Sequence, residues 1–372
     1  MRTRLRAFAV EDTSVQLTWR RLGPGRVVLR EGEREVVVDT GGGPGAVVLD
    51  GLAADREHEV RVTAPGLPGD GRTLAVRTLG PPPGRELFRF GTISDIHLGE
   101  DRFGFLKTMK EKPEPAEAHP VRCTRAALAE MKAWGAEAVV VKGDITEAGQ
   151  RSEFATFGAL VEEAGLPVDA LPGNHEARAR REIDPDDALV ELGLKPLDGV
   201  RFVDRPGIRL VLVDSTLPGN HHRGTLTKVA DAAVEAVADA PGPAMVLMHH
   251  NVRALVVPHF WPPGVSPREG RPFFDRLLEA NPATIVTSGH THRHRRTDHG
   301  PLPVTEVGSP KDHPGTWAGY VVHEGGIRQV VRRVAAPDCI AWTEHSRWAA
   351  GGVWGLWSPG RLTDRCFTHP WP

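Results

Sequence analysis

The sequence predicts an α/β core preceded by a small all-β sandwich, on three observations. The first 80 residues break into short apolar runs separated by Gly and Pro clusters. Residues 87–335 instead alternate apolar strand-like runs with helical patterns. Between them stands Leu79-Gly80-Pro81-Pro82-Pro83-Gly84, a stiff, helix-incompatible joint that marks a domain boundary. The expected organisation is a sandwich at 1–80, a linker at 81–86, a core at 87–335 and an extension at 336–372.

Strands are expected at 15–19, 26–29, 35–38, 46–49, 58–62 and 74–76. Val15-Gln16-Leu17-Thr18-Trp19 and Val60-Arg61-Val62 alternate apolar with polar residues, so one face of each is buried. Turns fall at 23–25, 41–45 and 65–71, where Gly and Pro concentrate. Many short strands at this spacing make a sandwich.

In the core, strands are expected at 87–94, 138–142, 168–171, 210–213, 244–248 and 284–287. Helices are expected at 122–134, 153–164 and 231–239. Strand–helix alternation places helices over sheet faces. Ligand sites in such cores lie beyond the carboxyl ends of strands.

Five motifs occupy that position, in order: Asp95-Ile96-His97, Gly143-Asp144, Gly173-Asn174-His175-Glu176, His249-His250 and Gly289-His290-Thr291-His292. Each alone is weak, but the ordered set is specific. Side chains at i and i+2 of a strand share a side, so Asp95 with His97, and His290 with His292, can reach one ion each. Gly143 lets the chain turn tightly before Asp144. A carboxylate has two oxygens and can bridge two cations. Imidazole and oxygen ligands without thiolate suit two divalent ions drawn from Mn, Fe, Zn, Co or Ni.

Composition excludes other classes. Net charge is −2 and the isoelectric point is near 6.8, which gives no electrostatic case for a nucleic-acid or membrane partner. No run approaches the ~20 apolar residues of a membrane span. Residues 1–10 carry three Arg and no long apolar run, unlike a secretory signal. Cys123, Cys339 and Cys366 are odd in number and widely spaced, which fits a reducing, cytoplasmic setting. Ligands for two ions sharing one carboxylate point to a small phosphate ester as the partner, and a homo-oligomer is left open.

The motifs resemble those of the calcineurin-like metallophosphoesterase superfamily over about residues 87–335. The resemblance implies a four-layer fold, two sheets flanked by helices. It also implies that Asp95, His97 and His292 hold one ion, Asp144 bridges, and Asn174, His249 and His290 hold the second. His250 is the alternative to His249. Residues 214–226, Asp214-Ser215-Thr216 through Leu226, look like a loop of the class III cyclic-nucleotide phosphodiesterase branch, which makes His221 and His222 candidate substrate contacts beside His250. Purple acid phosphatases also join a sandwich to this fold, but they add a tyrosine ligand. The one tyrosine here, Tyr320, lies far from the first motifs. The sandwich resembles a fibronectin type III module, through Trp19 and through Leu52 placed six residues before His58.

The activity implied is hydrolysis of phosphodiesters by a hydroxide bridging the two ions. The alternatives are a dedicated phosphomonoesterase and an inactive scaffold. His175 takes the role of general acid, as its family counterpart does, with Glu147 as the carboxylate that orients it and Glu176 as the competitor. Arg178, Arg180, Arg181, Arg253 and Lys311 lie near the motifs as candidate anion contacts, against surface charge. Two segments fall outside the core pattern. Residues 98–120 form a long polar loop after the first motif, a lid or a surface insertion. Residues 336–372 hold Trp342, Trp348, Trp354, Trp357 and Trp371, which either pack across the core or onto a partner subunit, or face the substrate.

Overall fold

The computed structural model describes residues 3–104, 107–113, 115–219, 222–255 and 262–372. The chain opens with seven strands: β1 (Arg6–Val10), β2 (Ser14–Leu22), β3 (Gly25–Glu31), β4 (Arg34–Thr40), β5 (Gly43–Asp50), β6 (Glu57–Thr63) and β7 (Arg72–Arg77). They form two antiparallel sheets, β1-β2-β5 and β4-β3-β6-β7. Alternation works as expected in β6, where His58, Val60 and Val62 are buried and their neighbours exposed. The Trp19 indole lies against Gly45, where a Cβ would come within 2.3 Å of the ring. His58 pins the corner before β6. Its Nε2 lies 2.9 Å from Ala53 O, and its Nδ1 lies 2.7 Å from Glu31 Oε1.

The second part contains β8 (Glu86–Ile93), α1 (His119–Trp134), β9 (Ala138–Lys142), α2 (Arg151–Ala164), β10 (Val168–Leu171), α3 (Pro185–Glu191), β11 (Val200–Arg205) and β12 (Ile208–Val213). It continues through α4 (Ala230–Ala238), β13 (Ala244–Met248), α5 (Pro267–Ala280), β14 (Thr284–Ser288), β15 (Arg295–His299), β16 (Leu302–Glu306), β17 (Thr316–His323) and β18 (Gly326–Arg333). The chain closes with α6 (Pro337–Ser346), α7 (Trp354–Trp357), α8 (Leu362–Arg365) and β19 (Phe367–Pro370).

Two six-stranded sheets result, β10-β9-β8-β17-β18-β19 and β11-β12-β13-β14-β16-β15. Each has a parallel part, the β10-β9-β8 half of the first sheet and the β12-β13-β14-β16 centre of the second. Parallel strands covered on both faces read as unbroken apolar runs, and β13 (Ala-Met-Val-Leu-Met) is buried at every position. Phe88, Phe90, Val140, Leu210, Leu212, Met245, Leu247 and Tyr320 fill the space between the sheets. Tyr320 stacks on Phe90 at 5.0 Å and bonds Thr287, well inside the core. The outer face of the second sheet packs on α4 and α5 through Val211, Val246, Ala233, Phe273 and Leu277. The fold is thus mixed α/β with an all-β region before it.

The extension is built into the fold. β19 adds to the edge of the first sheet beside β18, and α6 packs on both α1 and β5. Among the described residues no helix is long and apolar enough to cross a membrane. All three cysteines are buried, and burial beside Cys339 pushes the Cys123 thiol well up.

Glu11, at the end of β1, ties the sandwich to the core. It accepts from Trp134 Nε1 (3.1 Å) and from the Arg328 and Arg332 guanidinium groups, and it is 4% exposed. Removing one member of a buried ion network leaves the other charges uncompensated. Glu11→Ala is expected to cost about 3–5 kcal/mol in urea unfolding. A loss under about 1 kcal/mol would mean the junction does not depend on this residue.

Candidate metal centre

The motifs lie just beyond strand ends. β8, β9, β10, β13 and β14 finish at Ile93, Lys142, Leu171, Met248 and Ser288, and each is followed within a few residues by its motif. The expected i, i+2 alternation within a strand is therefore not what aims the side chains. Asp95 (φ 58°), His97 (52°), Asp144 (48°), His290 (70°) and His292 (51°) all adopt left-handed backbone. Ten described non-glycine residues do so, and half of them are these five, which marks strain concentrated at one place.

The loops are stitched together by main-chain bonds. Asp95 N donates to Gly143 O (3.0 Å), His97 N to Asp144 O (2.9 Å) and Gly289 N to His249 O (2.9 Å). His290 N donates to both oxygens of Asp95, at 3.0 and 3.1 Å. His175 N donates to Asp144 Oδ1 at 2.9 Å. Glycine permits these approaches. Gly143 has φ 78°, and a Cβ there would lie 2.7 Å from His249 Nδ1 and 2.8 Å from Gly173 Cα.

Each of the four candidate imidazole ligands has its outer nitrogen beside an oxygen. His97 Nδ1 meets Glu147 Oε2 (3.0 Å), His249 Nδ1 meets Lys142 O (2.9 Å), and His292 Nδ1 meets Asp312 Oδ2 (2.6 Å). His290 is turned the other way, with Nε2 3.2 Å from His222 O. The inner nitrogens then converge in two groups. His97 Nε2 lies 3.2 Å from His292 Nε2, which lies 3.4 Å from Asp95 Oδ1. His249 Nε2 lies 3.2 Å from His290 Nδ1 and 3.1 Å from Asn174 Oδ1. Asp144 Oδ2 sits between the groups, 3.7 Å from His97 Nε2 and 3.3 Å from His249 Nε2. Lone pairs crowded this closely suit cations, and nitrogen–oxygen donor sets of this kind suit first-row divalent ions.

Electrostatics follow burial. Desolvation pushes His97 down to about 4, with Lys311 adding to it and the Glu147 bond opposing it. His249 is buried too, yet Asp144 raises it to about 9. Burial would raise Glu147, but bonds with His175 and His97 hold it well below the usual carboxylate range. His175 is raised, with burial opposed by Asp144 and Glu147.

The other expected residues fall as follows. His175 Nδ1 meets the main-chain Glu147 O at 2.8 Å, while the Glu147 carboxylate is 3.4 Å away and closer to His97. Glu147 thus meets His175 chiefly through its carbonyl rather than its carboxylate. Glu176 is not involved. It accepts from Thr146 N and Oγ1 and from Gly173 N, all at 2.7 Å, and braces the two loops. The His250 ring lies 4.5 Å from that of His290, tilted, with Nδ1 at Ser215 Oγ (3.0 Å), and its buried Nε2 has no hydrogen-bond partner among the described residues. His222 lines the cavity, and His221 lies outside the described residues.

Lys142 is buried, and its Nζ donates to Ser288 O (2.7 Å), joining the two sheets beneath the centre. Desolvation lowers it to about 7. Arg178 Nη2 lies 2.7 Å from His175 Nδ1 and 3.0 Å from its Nε2, whereas Arg181 pairs with Asp184. Lys311 is buried against Glu100 and Asp312. A cavity of about 510 Å³ opens over the centre, lined by Phe103, Lys107, Arg178, His222, Lys311 and Trp354 among others. The 98–120 loop thus reaches the site through Phe103 and Lys107, the latter bonded to Glu147 at 2.5 Å. A second cavity of about 630 Å³ shares Arg178 and His222 and adds Arg180.

Asp312 was not legible beforehand. It sits in Gly308-Ser309-Pro310-Lys311-Asp312-His313-Pro314-Gly315, a turn-rich loop where a buried acid and a solvated one look alike.

A family model for calcineurin-like phosphoesterases matches residues 88–294, more than half the chain, from β8 through the last motif. The chain belongs to the calcineurin-like phosphoesterase family. This phosphoesterase is a hydrolase of phosphoric esters. It is 23% identical over 202 residues to a protein named probable cyclic nucleotide phosphodiesterase from Synechococcus, covering 54% of this chain and 72% of that one. It is 29% identical over 197 residues to a glycerophosphodiester phosphodiesterase of Enterobacter lignolyticus, covering 50% and 68%. A cAMP/cGMP dual specificity phosphodiesterase of Mycobacterium tuberculosis is 26% identical over 164 residues, covering 42% and 48%. Among solved structures, a purple acid phosphatase from yellow lupin seeds aligns over 89% of this chain and 72% of its own, with a TM-score of 0.46 and 11% identity.

The turn at Gly143 carries a direct test. Gly300 also has positive φ (59°) but open space around it. Gly300→Ala should cost about 1–2 kcal/mol, the price of left-handed backbone alone. Gly143→Ala adds clashes with His249 and Gly173 and should cost at least about 3 kcal/mol in the same unfolding assay. Equal losses would show that the loops do not press together here.

Proposed function

We propose that this phosphoesterase is a binuclear, divalent-metal-dependent phosphodiesterase. The observation that carries the reading is the convergence of four inward-facing imidazole nitrogens, each with its outer nitrogen beside an oxygen, around the Asp144 carboxylate. Asp95, His97 and His292 would hold one ion and Asn174, His249 and His290 the other, with Asp144 shared. Mn, Fe, Zn, Co or Ni fits these donors. Two such cations, when bound, offset charge on the phosphoryl oxygens and lower the pKa of water enough for it to attack phosphorus.

The chain's own residues do the rest. His175, with Nδ1 beside Glu147 O and its ring in the cavity wall, protonates the departing alcohol. Asp144 Oδ1 holds the His175 main chain in register with the centre. Arg178, beside that ring, meets a non-bridging phosphoryl oxygen. His222, which lines both cavities, is the proposed substrate contact on the His290 side; His250, expected in the same role, is fully buried and lines neither cavity.

Two adjoining cavities that share Arg178 and His222 favour a diester, whose phosphorus carries two arms, over a monoester with one. The names of the relatives point the same way. The division at 1–80, 81–86, 87–335 and 336–372 is retained as a proposal. The three-plus-four strand order and the His58 corner support a fibronectin type III-like reading of the first part. Unpaired buried thiols favour a reducing, cytoplasmic setting.

The test is a metal-by-substrate matrix. Chelator-stripped protein should lose hydrolysis of bis(4-nitrophenyl) phosphate and regain it with one or more of the five metals, and 4-nitrophenyl phosphate should be the poorer substrate. A faster monoester reaction would favour the phosphomonoesterase reading, and hydrolysis indifferent to chelation would contradict the proposal. His175→Ala should slow diesters with alkyl leaving groups by about 100-fold or more and nitrophenyl esters far less, since only a poor leaving group needs the proton. Equal losses would remove His175 from that role.

A further inference from the structure

The tryptophan-rich extension divides in two. Trp342 is core: it is 3% exposed, stacks on His119 at 4.2 Å and donates to Lys311 O at 2.7 Å. Trp354 is different. Its ring lines the metal-centre cavity, 6.1 Å from the His292 ring and 5.8 Å from Phe103, both edge-to-face. Its indole N–H donates to Asp312 Oδ1 (3.1 Å), while Asp312 Oδ2 meets His292 Nδ1. The ring is therefore fixed relative to a candidate ligand through one intervening carboxylate, and it cannot swing without giving up that bond. Ala349 and Ala350 line the same cavity just before it, with Ala350 in left-handed backbone (φ 49°). Two methyl groups there leave open the space that Trp354 and Phe103 flank.

We propose that Trp354 and Phe103 form a subsite for a flat aromatic arm of the ester, and that Trp354 is a specificity-determining residue. The inference rests on the phosphodiesterase reading and names the substrate class for it: phosphate esters carrying an aryl or heteroaryl group. Aromatic side chains meet a planar ring by offset stacking or edge-to-face contact, a gain that a small alkyl arm does not collect. The phosphoryl group binds at the metal centre and Arg178 for either kind of ester. The aromatic arm therefore adds affinity beyond that shared anchor. The extension, which lies outside the matched family span, thus completes the binding site.

The test is calorimetric binding of 1-naphthyl phosphate and methyl phosphate to the metal-loaded full chain, with metal content measured in every sample. Wild type should bind the naphthyl ester about 10-fold more tightly, in the range found for single aromatic stacking contacts. Trp354→Ala should cut that ratio to about 2 or less, and Trp354→Phe should keep most of it. Ala350→Leu fills the same space without touching Asp312 and should also cut the ratio, which protects the test if Trp354→Ala disturbs metal binding. No naphthyl preference in wild type, or an unchanged ratio in both Trp354→Ala and Ala350→Leu, overturns the assignment. Hydrolysis of bis(4-nitrophenyl) phosphate by the same wild-type sample separates the two failures. If it persists without the preference, only the subsite is wrong; if no metal supports it, the functional reading falls and the subsite with it.

Discussion

The structure depends on imidazole orientation. A histidine offers a ligand lone pair in a fixed direction only if its other nitrogen is committed elsewhere. Here that commitment is made across loops. The carbonyl of Lys142, the last residue of β9, meets His249, after β13; the Glu147 carboxylate meets His97; Asp312 meets His292. Each loop thus aims a residue carried by another loop, and the Lys142–His249 bond forms only with both six-stranded sheets in place. Lys142 Nζ reaching Ser288 O from one sheet to the other belongs to the same arrangement. The left-handed backbone at Asp95, His97, Asp144, His290 and His292 is sustained because neighbouring loops over-determine it.

Much of this was legible in the residues. β9, β10 and β13 match their expected spans because they are short, largely buried and mostly apolar runs, broken only by Lys142 and Asp169. β11 and β15 escaped notice for the opposite reason. They are sheet-edge strands with partly exposed, charged residues, and Arg295–His299 has no apolar pattern at all. Helix α5 was hidden by an internal Pro272 and a charged first turn. At the centre, ligand types and order could be read because chemistry dictates them. The turns that aim those ligands could not, since alternation suggests a strand where the chain has already left one. Asp312 was illegible because its role is set by burial, which a short polar loop does not advertise.

The sandwich bears on the centre through packing, and the extension through both packing and proximity. Glu11 and Gln16 of the sandwich bond to Arg328, Arg332 and Arg333 around β18, and α6 sits between β5 and α1. From α6 the chain passes directly to Ala349, Ala350 and Trp354 in the cavity wall. A chain of contacts therefore leads from the first strands to the residue that meets Asp312. This gives the all-β region a physical reason to be attached: it supports the extension that shapes the site.

The central claim is a pair of cations held on either side of one carboxylate. Anomalous diffraction from a manganese-loaded crystal tests it most directly. The account predicts two anomalous peaks about 3.5–4 Å apart with Asp144 between them, one beside Asp95, His97 and His292 and the other beside Asn174, His249 and His290. A single peak, or two peaks that do not share Asp144, would contradict it.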